Sequence, residues 1–402
     1  MNWIARKYRN WRGVPHGVLT VTSGGPPEGS SDEDWLRWIV GLGEGESQLA
    51  ELAAEHAAAT QVIDRYNADL QPFALWLRAF DLERLRLAVK SPLVKRVENV
   101  QVVNPPGAVE RLLAASFADP PSVVTIGHPR NSLVPPVAEG RIPRLQITET
   151  DWQSVVTRLA ERAALVVIEV AQVSPGVREE LAMLSQGTAA ARAVVVLHDA
   201  DSAELADLDY HRSLLRSFGR ARLGGAAAGY DRPGRDDPAV RPFSRVVTVG
   251  ELTASGMDGV PAFADLLLDM RYAQRLDAAS RRRRNDGLGA ADEAVRLARQ
   301  GRLGEAVSTA VRALEVFADL DDVVSVIGVT VDLALLTDAE GDAVRARQSV
   351  DWLLRSARRL TERERAGLCF RFGDIAELPA LLSELSLAEP LEELCALFGL
   401  AG

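Results

Sequence analysis

Residues able to bind or react gather where apolar runs end. PFALWL is followed by Arg78 to Asp81, SVVTI by Gly127 to Asn131, RLQIT by Glu149 to Trp152, ALVVIEVA by Gln172 to Glu180, and ARAVVVL by His198 and Asp199. In GHPRN (127–131), Gly127 lets backbone approach a ligand, and His128, Arg130 and Asn131 supply donors around Pro129, which suits a phosphate or a ribose. SPGVREEL (174–181) holds two adjacent carboxylates, Glu179 and Glu180. At about 100° per residue, Val177, Leu181 and Leu184 share one arc, Glu180 lies about 60° to its side and Glu179 falls opposite. Glu180 therefore borders the core, where it serves either as a ligand contact or as a carboxylate favoured by the helix dipole.

Glu169 interrupts the strand-like run VVIEVA and calls for a buried partner such as an arginine, a strand end or a less covered face. The chain contains neither GxGxxG nor GxxxxGK[ST], so the Rossmann-fingerprint and P-loop mechanisms have no support. The five histidines and two cysteines show no metal-ligand spacing, and no GxSxG element is present.

These residues need a scaffold, and the β-branched runs provide it. Strands are predicted at 72–80, 122–127, 144–148, 164–171, 191–199 and 243–250, with helical segments between them. TETDWQSVVTRLAERA opens with a capping box, Thr150 and Gln153; the helix after Ser174 has Pro175 at its first position. Strands alternating with helices specify an α/β domain with a parallel sheet covered on both faces, in which ligands bind beyond the carboxyl ends of the strands.

The chain divides into an N-terminal tail and helical segment (1–69), the α/β domain (70–272) and an all-α domain (273–402). The basic-aromatic start, MNWIARKYRNWRG, reads as a solvated tail or a contact for anionic lipid or protein. SRRRRNDG (280–287) reads as a charged hinge. Beyond it Ala294, Gly301, Ala306 and Leu314 recur forty residues later as Ala334, Gly341, Ala346 and Leu354. A tight glycine turn with small-residue packing at fixed period is the pattern of helical-hairpin repeats and is similar to tetratricopeptide-like repeats.

With 402 residues, 47% apolar and 25% charged, the chain has ordinary globular usage. A net charge of −10 gives no general attraction to nucleic acid. Without a membrane-length apolar stretch or an apolar leader, the sequence predicts a cytoplasmic protein.

Residues 70–270 resemble a soluble module of actinobacterial proteins of unassigned function, often found beside transmembrane hairpins. The resemblance rests on "PFALWLRAF", "VVTIGHPRNSLVPPVAEGRIPR", "TETDWQSVVTRLAERAALVVIEVAQVSPGVREEL" and "ARAVVVLHD" in that order. It covers about half the chain. That module is similar to the TIR and SLOG-type Rossmannoid group, which implies a flavodoxin/TIR-like, three-layer parallel-sheet fold and binding or cleavage of NAD-like nucleotides. Glu180 stands at the position of the module's helical glutamate; Arg78, Gly127, Pro129, Asp151, Trp152 and Gly176 match its pattern. Asn131 replaces an acidic residue and Glu179 a tryptophan, and no membrane hairpin is apparent.

Two functions follow as expectations. In the first, the protein is a TIR-like sensor or effector of bacterial signalling or defence. It needs no resident cofactor, takes NAD or a related nucleotide as ligand or substrate, and binds a protein partner or forms a homo-oligomer through its helical repeats. An enzymatic version cleaves the N-glycosidic bond: Glu180 stabilises the ribosyl transition state, Arg78 and the loop with His128, Pro129 and Asn131 hold phosphate, and Trp152 stacks on a base. In the second, the Rossmannoid domain is a non-enzymatic scaffold and the repeats make an adaptor.

Overall fold

The structure, a computed structural model, describes residues 46–78, 107–118, 122–127, 142–147, 152–171, 173, 175–199, 233–371, 375, 378–384 and 388–400. They fall into two compact units, one holding the described residues up to Asp64 and Phe73–Ala254, the other Arg65–Pro72 and the described residues from Ser255 onward. Among the described residues no helix is long and apolar enough to cross a membrane.

In the first unit each predicted apolar run contains a strand: β1 (Ala74–Leu77), β2 (Val123–Gly127), β3 (Arg144–Gln146), β4 (Leu165–Val170), β5 (Ala193–Leu197) and β6 (Val246–Thr248). They form one all-parallel sheet in the order β3-β2-β1-β4-β5-β6. Val, Leu and Ile dominate β4 and β5 because these strands are buried on both faces. The chain winds outward from β1 in one direction and from β4 in the other, so the switch point lies between them. The order 3-2-1-4-5-6 is one that recurs among doubly wound parallel sheets.

Helices α1 (Glu46–Asp69), α2 (Ala108–Ser116), α3 (Trp152–Arg162), α4 (Pro175–Ser185) and α5 (Val249–Ser255) accompany the strands. Register sorts the side chains by face. Leu75 aligns with Val124 and Val166, and Ile168 with Val195, making one face aliphatic. Trp76 aligns with Thr125 and Val167, and Glu169 with Val196, so the other face carries polar groups. Crossovers between parallel strands are right-handed, which puts α3 and α4 over the aliphatic face and α2 over the polar one. Thr157 Oγ1, 3.1 Å from Met183 Sδ, links α3 with α4. Arg144 Nε, 3.7 Å from Glu55 Oε2, ties α1 to the polar side.

The second unit is helical: α6 (Pro261–Arg275), α7 (Ala278–Arg299), α8 (Leu303–Asp319), α9 (Val323–Ala339), α10 (Ala343–Ala357), α11 (Glu362–Arg371), α12 (Leu378–Glu384) and α13 (Ala388–Phe398). The forty-residue period is physical. Gly301 and Gly341, at φ of 75° and 80°, turn the α7–α8 and α9–α10 hairpins, and Ala294, Ala334, Ala306 and Ala346 are all buried. The expected hinge at 280–287 is corrected: it lies inside α7. Arginine is a good helix former, and two of these arginines, Arg281 and Arg284, are themselves buried. Arg281 Nε donates to Asp69 O (2.6 Å) at the end of α1. Arg284 bonds Asp269 on α6, and its Nε lies 2.6 Å from Oδ2 of Asp322, the N-cap of α9.

Candidate functional site

Glu180 is the sixth residue of α4, and the helical phase inferred from sequence is realised: Leu181 and Leu184 are buried, Glu179 is exposed, and Glu180 is only 6% exposed. Among the described residues its Oε1 has no hydrogen-bond partner. Burial pushes the carboxyl up to about 8, so at neutral pH it carries its proton. An unsatisfied buried polar atom costs about 1–3 kcal/mol, an expense unusual in native proteins.

Three further residues of the expected site lie on described elements. Trp152 is the first residue of α3, half-buried, on the helix neighbouring α4. Gly127 ends β2, level with Gln146 of β3, and Gly176 lies in the first turn of α4. Since α3 and α4 follow β3 and β4, both helices begin at the carboxyl edge of the sheet, on its aliphatic side. His128, Pro129, Asn131 and Asp151 lie outside the described residues, as do Thr150, Ser174 and the basic-aromatic start.

Arg78 lies on the sheet face opposite the one that α4 covers. Its guanidinium carbon stands 5.4 Å from the centroid of the Trp76 ring, two residues earlier on β1, so it occupies the polar face of the sheet. Leu77 pairs with Ile168, which sets Arg78 level with Glu169 on the adjoining strand. Glu169 has a buried histidine as a partner: His198 Nε2 lies 2.9 Å from Glu169 Oε1, with both residues buried. Burial is the cause that raises the Glu180 carboxyl.

Trp76 and His198 were not assigned to the site from sequence. His198 was visible as a post-strand residue, and Glu169 as a charge in an apolar strand; nothing local marks Trp76, because its role depends on which face it shares with Arg78. Among the described residues no three His, Cys, Asp or Glu side chains cluster as metal ligands. Comparisons of the chain with protein-family models, curated proteins and solved structures found no match.

Proposed function

We propose that the first unit is a TIR-like nucleotide-binding domain and that the helical hairpins of the second, as tetratricopeptide-like repeats, bind a protein partner, together forming a cytoplasmic sensor or effector of bacterial signalling or defence. One observation carries the reading: a buried carboxyl, Glu180, whose Oε1 has no hydrogen-bond partner among the described residues, on the helix that follows β4 at the switch point of a parallel sheet. Protonated, it donates to a ribose hydroxyl; beside a cationic nicotinamide ring its ionised form is favoured and stabilises positive charge developing on the ribose. The enzymatic form of this reading is addition of water to the ribosyl carbon with departure of nicotinamide. Trp152 offers a ring for base stacking, and Gly127 and Gly176 leave room for backbone to approach phosphate.

The experiment is incubation of the full chain with etheno-NAD, followed by fluorescence, alongside calorimetric titration of NAD and ADP-ribose. Binding or turnover that Glu180→Gln abolishes is the expected result. Absence of both heat and turnover removes the nucleotide reading.

The adaptor reading has its own support. Glu180 is nearly enclosed, whereas Trp352 and Val344 of α10 are 44% and 69% exposed, apolar groups at the surface. A raised melting temperature with an adenine nucleotide counts against a purely adaptor role.

A further inference from the structure

We propose that the outward faces of α8 and α10 form a self-complementary surface on which a second copy of this chain docks, α8 of each copy against α10 of the other. This names a partner for the helical hairpins, so it rests on their reading as a binding surface and not on the nucleotide reading.

Among the described residues the large apolar side chains left exposed are Val311 of α8 and Val344 and Trp352 of α10. Arg355 stacks on the Trp352 ring, its guanidinium carbon 5.2 Å from the centroid, and Trp and Arg are the residue types that anchor interface centres. Each helix is the second of its hairpin, and α9 packs against α7, α8 and α10. The forty-residue period therefore sets the outward faces of α8 and α10 on one side of the array at matching heights.

Along that period the two faces are opposites. Exposed charges recur with reversed sign, Glu305 as Arg345, Glu315 as Arg355 and Asp319 as Arg359. Bulk is reversed as well, Gly304 recurring as Val344 and Ser308 as Gln348. A two-fold axis running along the helices, between α8 and α10, lays each residue of α8 against its own counterpart from the second copy. Gly304 then leaves room for Val344, Val311 reaches Trp352, and Glu315 meets Arg355. Arg302 engages Glu305, Asp342 engages Arg345 and Asp321 engages Arg359 within one copy, whereas Glu315 and Arg355 have no ion-pair partner among the described residues. Setting α10 against α10 would instead oppose three arginines to themselves, so charge selects the α8–α10 pairing.

Sedimentation velocity of the full chain over a range of loading concentrations tests this. Expected is a monomer–dimer equilibrium. Glu315→Arg and Arg355→Glu, both at exposed positions, should each weaken dimerisation by about tenfold or more. Mixing the two variants, or combining both changes in one chain, should restore it, because every α8–α10 contact then pairs unlike charges. A chain that stays monomeric at every concentration overturns the proposal, as does a dimer that neither reversal weakens or a mixture that fails to recover. Should either reversal unfold the chain, Trp352→Ala must still shift the equilibrium toward monomer.

Discussion

His198 Nε2 lies 2.9 Å from Glu169 Oε1, joining the carboxyl ends of β4 and β5 within the sheet's polar face. His198→Ala removes this partner from a buried carboxyl and should cost about 1–3 kcal/mol in urea unfolding. Glu169→Gln retains an acceptor and should cost less. An unfolding midpoint for His198→Ala equal to that of the wild type would show that the pair contributes nothing.

Glu180 predicts a pH dependence of the opposite sign from a salt-bridged carboxylate. Its folded-state value, about 8, exceeds the ordinary 4.5, so across that interval the folded protein holds the proton that the unfolded chain releases. Stability from this group is fully present below pH 4.5 and declines by about 1.4 kcal/mol per unit until the folded carboxyl ionises near 8. Glu180→Gln, similar in shape and without a charge, should flatten the profile and exceed the wild type in stability at pH 8. Parallel profiles for the two proteins would refute this assignment.

In the second unit Arg284 is enclosed by Asp269, Asp322 and Ser325. Burial opposes its charge, but the two carboxylates more than offset that and raise its pKa. Arg284→Met removes the cation that both acids share and should destabilise by about 3–5 kcal/mol. Arg284→Lys should recover only part, since an ammonium lacks the fork that serves separate acceptors. Chemical denaturation, with full recovery by lysine as the contrary outcome, decides it.

Gly301 and Gly341 supply left-handed turns at φ of 75° and 80°, and nothing lies within 4 Å of where a Cβ would stand. Alanine at either site should therefore act through the backbone alone, costing about 1–2 kcal/mol. Asparagine should cost less than alanine because it tolerates this region better. Differential scanning calorimetry of both pairs tests the ranking; alanine variants that melt with the wild type would contradict it.

Much of this architecture is local and was legible. Four of the six strands follow from β-branched runs such as VVTIG and AVVVL, whose side chains suit a pleated, buried surface. The α7–α8 and α9–α10 hairpins follow from Gly301 and Gly341, each with a small residue five positions later to permit close helix packing. The unequal environments of Glu179 and Glu180 follow from helical phase.

What depended on distant segments was not legible. The arginine run looked like a hinge because its partners are remote: Arg284 is buried only because α6 and α9 bring Asp269 and Asp322 to it. The sequence by itself determined which residues end strands and which side of its own helix each one occupies. Only the tertiary structure decided that Arg78 belongs with Trp76 and Glu169 while Glu180 belongs to the opposite layer, because strand register and crossover handedness, properties of chain segments far apart, choose the face of the sheet.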